Sequence, residues 1–210
     1  MTNKHRQAIL DQGLDIKNLD SDPLIQLSKW LECANQVGIR YPGAMSLATT
    51  DFSGSPTQRM VMLREISADG LVFFTSLSSN KAEHIKRHSQ VSVLFPWHML
   101  ERQVVIRGCA EKIAKNKVLK AFLSRSDMSQ TSAWLSDQNS LVTSRGLIEA
   151  KLNEIRDNAK NGKLGMPAFW GGYMIKPESF EFWQTGKDGI NDRILYRKDQ
   201  ADWILERLNP

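Results

Sequence analysis

The sequence predicts a mainly β fold with peripheral helices (α+β), an antiparallel barrel in one domain. Short β-favouring runs follow one another across tight turns, at 44–50, 57–66, 71–75, 90–95, 102–113, 172–176, 180–183, 193–196 and 203–207. Strands and helices do not alternate as a parallel βαβ sheet would require. No internal repeat, low-complexity tract or linker divides the 210 residues, a length that can bury a full core.

Residues 1–20 lack an apolar period and read as an irregular or loosely helical arm ahead of a single domain over 21–210. Ser21-Asp22-Pro23 is a helix start, a capping side chain followed by proline in the first turn. Leu24, Leu27, Leu31 and Ala34 continue at helical spacing to an end near Gly38. Residues 44–50 and 57–66 then form a hairpin across Asp51-Phe52-Ser53-Gly54. Ala68-Asp69-Gly70 turns the chain into Leu71-Val72-Phe73-Phe74-Thr75, a nearly unbroken apolar run that marks a buried strand. A helix over 81–88 follows the Ser78-Ser79-Asn80 cap cluster, and strands 90–95 and 102–113 flank a Pro96-Trp97-His98 turn. Helices are expected over 117–123 and 144–158, and the C-terminal strands close the chain.

Composition excludes several functions. Hydrophobic residues at 41% and charged residues at 24% fit a soluble globular protein, with no apolar run of membrane-spanning length. The polar start Met1-Thr2-Asn3-Lys4-His5-Arg6 lacks a signal-peptide core, so the expected location is cytoplasmic with no membrane partner. Cys33 and Cys109 stand too far apart, in unrelated contexts, to suggest a disulfide framework. The net charge of +5 comes from basic residues scattered among acidic and neutral ones, which argues against nucleic acid as a partner. Neither usual nucleotide loop is present. His84 and His88 have zinc-compatible spacing but no accompanying ligand set, so no metal is expected.

Three stretches carry positive signals. Arg125 lies four residues before Ser129, which precedes a helical-looking 130–135. The pair reads as a phosphate site at a helix start or as an ordinary cap beside an exposed arginine. Gln58-Arg59-Met60-Val61-Met62-Leu63-Arg64 is an apolar strand with an arginine near each end. Strict alternation would put Arg59 and Arg64 on opposite faces, so a shared ligand needs a bulge, a strand end or a wrapped edge. Phe182-Trp183-Gln184 enters a glycine-punctuated turn that returns through Asp192-Arg193, either a core aromatic hairpin or a platform for a flat anion.

Together these stretches resemble the pyridoxine/pyridoxamine 5'-phosphate oxidase family over nearly the whole chain. The carrying motifs include Gln58 to Arg64, Phe73-Phe74-Thr75, Lys81-Ala82, Leu94-Phe95-Pro96-Trp97-His98 and Leu100-Glu101-Arg102-Gln103-Val104. Further on come Ser124-Arg125 with Ser129-Gln130, Ala133-Trp134, Phe169-Trp170-Gly171-Gly172, Phe182-Trp183-Gln184, Asp192-Arg193 and the closing Arg207-Leu208-Asn209-Pro210. The resemblance implies a split β-barrel homodimer with FMN at the subunit interface. It places Arg59 and Lys81 on the FMN phosphate with Ser79 nearby, and Met60, Val61, Met62, Leu63 and Arg64 along the flavin with Phe74 and Thr75. From the other subunit it brings Gln103, Gln138, Trp183 and Arg193. Asn80 stands where the family usually has arginine, and Asn139 where it usually has serine.

The substrate side departs further from the pattern. Where the family grips a substrate phosphate with lysine, tyrosine, arginine and serine, this chain has Arg64, Ala121, Arg125 and Ser129. The arm's arginine is kept as Arg6, but the tyrosine three residues on is Ile9. The family's Arg-x-His over the substrate ring is Gly189-Ile190-Asn191. The resemblance therefore implies an FMN-dependent oxidase with a small, planar, anionic substrate, giving pyridoxal 5'-phosphate as the family does. Two alternatives accompany it: a relative retuned to another flat substrate such as a dihydrophenazine carboxylate, and a flavin- or pyridoxal-phosphate-binding protein without turnover.

Overall fold

The computed structural model describes residues 7, 8, 11, 13–135, 142–160, 165–186, 189–200 and 202–210. After a 3-10 turn at Ile16–Asn18 comes helix α1 (Pro23–Gln36). The Asp22 carboxylate accepts the Leu24 N–H at 2.8 Å, and Pro23 sits in the first turn, where a missing N–H breaks no helical bond. Leu24, Leu27, Trp30 and Ala34 bury one face of α1 in the core.

Nine strands among the described residues form one antiparallel sheet: β1 (Ala44–Thr50), β2 (Pro56–Met62), β3 (Glu65–Ser67), β4 (Gly70–Ser76), β5 (Gln90–Trp97), β6 (Arg102–Lys112), β7 (Trp170–Gln184), β8 (Asp192–Asp199) and β9 (Asp202–Leu208). Their bonded order is β2-β1-β5-β6-β7-β4-β3, with β8 and β9 continuing from the C-terminal half of β7. The sheet curls until β2, at one end of this order, lies against β4 near the other. The result is a barrel split between β2 and β4. Strands β1 and β5 alternate buried and half-buried residues, whereas β4 is buried almost throughout, as its apolar run demands. Trp30, Phe95, Trp97, Phe182 and Tyr196 fill the core in edge-on and tilted aromatic contacts, and Phe180 stacks on Phe182.

Helices α2 (Asn80–Arg87), α3 (Lys115–Leu123), α4 (Asp127–Leu135) and α5 (Arg145–Lys160) complete the fold. None of the described helices is long and apolar enough to cross a membrane. Both cysteines are free, and no cluster of metal-binding side chains occurs among the described residues. The described end of the arm is fastened to the C-terminal strands. Leu14 is buried, its N–H bonds the Asp192 carboxylate at 3.1 Å, and Arg207 donates to both the Leu14 carbonyl and Asp192.

Four expected elements change. The strand expected over 57–66 breaks after Met62, because the Leu63 N–H turns to the Gly43 carbonyl and the Arg64 N–H to the Val72 carbonyl. The turn at 96–98 comes later, since β5 runs through Trp97, a buried residue whose indole donates to the Pro42 carbonyl at 2.9 Å. Strands 172–176 and 180–183 are one strand. Pro177, which cannot donate to the ladder, falls opposite a register shift at Arg107/Gly108 that absorbs it. The helix expected after Ser129 starts at Asp127, so Ser129 lies in the first turn and does not cap it.

Candidate functional site: two basic clefts beside Phe74

The split between β2 and β4 opens into a cleft of about 450 Å³. Arg59, Met60 and Val61 enter from β2, Phe74 and Thr75 from β4, and Ser79, Asn80 and Lys81 from the start of α2. The Arg59 guanidinium donates to the Leu47 carbonyl at 3.0 Å, to Thr49 Oγ1 at 2.8 Å and to Thr57 Oγ1. These acceptors are all neutral, and no acidic residue lines the cleft. Burial lowers the Arg59 pKa. Burial, and then the charge of Arg59, pull the Lys81 ammonium down to about 8. Two crowded cations without a lining carboxylate suit a bound anion.

On the other side of Phe74 lies a second cleft, of about 670 Å³. Arg64 and Glu65 approach it from the β2–β3 break, Lys117, Lys120 and Ala121 from α3, and Ser124, Arg125, Ser126 and Ser129 from the α3–α4 corner. Arg125 donates to the Ser129 carbonyl at 3.2 Å and lies 5.2 Å over the Trp170 ring. Burial, and secondarily the charge of Arg64, lower its pKa, and its Nε is buried without a partner. Trp170 also stacks on Phe74, with centroids 4.8 Å apart and planes 17° from parallel. A Cβ on Gly172 would come within 2.6 Å of the Phe74 ring, so the sheet beneath holds the wall between the clefts in place.

The five-residue separation of Arg59 and Arg64 is thus resolved by the break after Met62, which puts them in adjoining clefts. Met62 ends β2 and Leu63 follows it, and neither lines a cleft. Gln103, Trp183 and Arg193 form one cross-strand row on the outer face of β6, β7 and β8. Glu181 accepts from Arg193 Nε at 2.8 Å and raises its pKa, while Arg193 Nη1 donates to the Asn209 carbonyl. Gly189, at φ +77°, has open space where a Cβ would stand, and Asn191 is half-buried. Gln138, Asn139 and Arg6 lie outside the described residues.

Sequence reasoning gave no site role to Thr49, Lys117, Lys120, Ser124, Ser126 or Trp170, although Ser124 and Trp170 stood within the motifs it quoted. Lys117 and Lys120 carried a readable signal, since a three-residue spacing gives neighbours on one helical face. Thr49 carried none, because alternation shows only that its side chain points inward.

The first cleft suits a phosphorylated, flat cofactor such as FMN. Arg59 and Lys81 match a phosphate dianion, Thr75 offers a hydroxyl, and Met60, Val61 and Phe74 give apolar surface for a ring, while the Ser79 hydroxyl is already given to the Ser76 carbonyl.

Comparison with known proteins agrees with this geometry. Residues 32–159 match the family model described as pyridoxamine 5'-phosphate oxidase. Residues 170–210 match that of the pyridoxine 5'-phosphate oxidase C-terminal dimerisation region. The chain is 44% identical over 205 residues to the pyridoxine/pyridoxamine 5'-phosphate oxidase of Vibrio vulnificus (strain YJ016), covering 98% of this chain and 97% of the relative. Among solved structures, PhzG from Burkholderia lata 383 in complex with tetrahydrophenazine-1-carboxylic acid superposes with a TM-score of 0.87. It is 26% identical, covering 96% of this chain and all (100%) of PhzG. A pyridoxamine 5'-phosphate oxidase-related, FMN binding protein from Nostoc punctiforme PCC 73102 shares the fold, with a TM-score of 0.72 at 18% identity. That match covers 91% of this chain and 100% of the other.

Proposed function

We propose that this chain, which belongs to the pyridoxamine 5'-phosphate oxidase family, is an FMN-dependent oxidase that forms pyridoxal 5'-phosphate from pyridoxine or pyridoxamine 5'-phosphate. The observation that carries this reading is the pair of basic clefts sharing Phe74. One is fitted to a cofactor phosphate and the other, with Arg64, Lys117, Lys120 and Arg125, to a substrate phosphate.

When bound, FMN would supply hydride acceptance from a substrate C–H bond and electron transfer to O₂, with hydrogen peroxide as the by-product. The protein's part is binding and orientation. Arg59 and Lys81 hold the cofactor phosphate, and Met60, Val61 and Phe74 offer a surface for its ring. Arg64, Arg125 and Ser129 anchor the substrate phosphate. Phe74, backed by Trp170, fixes the spacing between the two anion sites. The half-buried outer face, with Gln103, Trp183 and Arg193, belongs to a homodimer in which a second copy completes the cofactor site; the match to a dimerisation region supports this.

A second reading has its own observation. Ala121 in the second cleft and the open space at Gly189 leave room for a larger ring, and PhzG is shown with a tricyclic carboxylate. The four cations of the cleft favour a phosphate dianion over a single carboxylate. The test is anaerobic mixing of the FMN-loaded protein with pyridoxine 5'-phosphate, pyridoxamine 5'-phosphate or a dihydrophenazine carboxylate. Bleaching by a vitamin phosphate, followed by hydrogen peroxide on admitting O₂, is expected. Bleaching by the tricyclic acid alone selects the second reading, and bleaching by none selects a binding protein without turnover.

A further inference from the structure

Behind the cofactor cleft, Thr49 stands between a cation and an imidazole. It is 2% exposed, Arg59 Nη1 donates to its hydroxyl oxygen at 2.8 Å, and His84 Nδ1 lies 3.0 Å from the same oxygen. A guanidinium can only donate, so Thr49 accepts from Arg59. The buried hydroxyl still has one proton of its own to place, and an imidazole protonated on Nε2 offers it an acceptor at Nδ1.

We infer that His84, acting through Thr49, is a positioning residue for Arg59, and that its protonation state sets the strength of the anion cradle. The inference rests on the proposed FMN site and adds to it a residue that does not line the cleft. Imidazoles ordinarily take up a second proton between about pH 5 and 8. Once both ring nitrogens carry protons, Nδ1 faces Thr49 as a donor. The buried hydroxyl then receives two donors and loses the acceptor for its own proton. The charged groups around this hydrogen-bonded chain are Asp51, just after β1, whose carboxylate interacts with His84, Arg59 from β2, which reaches the same hydroxyl, and Lys81 and Glu83 on the same helix. His88 caps the far end of α2. The outcome is an Arg59 less firmly held when His84 is charged.

The test is fluorescence titration of the apoprotein with FMN across this pH range, comparing wild type with His84→Gln. A glutamine can accept the Thr49 proton and does not titrate. The phosphate of FMN also titrates near pH ~6, but equally for both proteins, so the ratio of their dissociation constants isolates His84. The two should differ least at about pH 8, the top of this range. As pH falls, wild type should weaken about fivefold more than His84→Gln, the value of one neutral hydrogen bond. Thr49→Ser should keep the wild-type profile. Thr49→Val should weaken FMN binding at every pH and remove the difference between histidine and glutamine at 84. Parallel profiles for wild type and His84→Gln, with FMN bound by both, overturn the inference and leave the cofactor assignment standing. Failure of every variant, wild type included, to bind FMN at neutral pH overturns both.

Discussion

Lys81 shows what a single residue contributes to the candidate site. It is only 7% exposed, and burial together with Arg59 brings its pKa to about 8 from an ordinary 10.5. Between those values the unfolded chain holds a proton that the folded apoprotein has released, so apoprotein stability rises with pH across that window. Cofactor binding has the opposite sign. A phosphate dianion favours the ammonium, so above about pH 8 binding must take up a proton, and FMN affinity should fall by up to about tenfold per pH unit. Fluorescence titration from neutral pH to about 10 should show this alkaline limb in wild type. Lys81→Met should bind FMN more weakly and lack the limb; a variant that keeps it would place the titrating group elsewhere. Arg59 was legible in the sequence, since an arginine in an apolar strand needs an anionic partner, whereas Lys81 came only from the family resemblance. The supports were not legible. Thr49 and Trp170 act through geometry, and neither spacing nor composition shows which side chain a folded sheet places behind another.

Among the elements, β7 carries the main difference between sequence and structure. Its two halves looked like separate strands because Pro177 interrupts them, and proline within a run ordinarily marks an edge or an end. The partner strand resolves the conflict, since β6 shifts register at Arg107/Gly108 and keeps pairing on both sides. Sequence periodicity belongs to one strand at a time and cannot report a compensation made by its neighbour. By contrast, the start of α1, the buried β4 and the β7–β8 hairpin were readable, because a cap, an apolar run and a glycine-rich turn each act locally. Gly108 is the point on which this arrangement depends. A Cβ there would stand 2.1 Å from the Lys176 carbonyl oxygen, a backbone atom that cannot swing aside. Gly108→Ala should therefore cost about 1–3 kcal/mol, as overpacking does, and lower the melting temperature by several degrees. Gly189→Ala meets open space and bears only the smaller cost of its positive φ, about 1 kcal/mol. Differential scanning calorimetry compares them directly, and an equal or larger loss for Gly189→Ala would contradict this account of the β6–β7 junction.

At the scale of the whole molecule, the outer face of the sheet calls for a second copy. The register aligns Met60, Ser46, Leu94, Val105, Glu181 and Leu195 in one row across β2, β1, β5, β6, β7 and β8. The next row holds Pro96, Gln103, Trp183 and Arg193. Each is half-buried or exposed, while its sequence neighbours within β5 and β6 lie fully in the core. Leu94, Val105 and Leu195 are half-buried apolar members of the first row, and its end at Met60, 56% exposed, enters the proposed cofactor cleft. A partner seated on this face would cover apolar area and reach the cofactor at once, so dimerisation and FMN binding should be lost together. Val105→Asp tests the coupling, because it buries an unpaired carboxylate in the proposed interface and leaves the core side of β6 untouched. Sedimentation velocity should shift from two chains to one, and FMN affinity should fall by at least about tenfold, the equivalent of 1.4 kcal/mol. A monomeric wild type that binds FMN tightly, or a Val105→Asp dimer with unchanged affinity, would separate the two properties and move the second half of the cofactor site elsewhere.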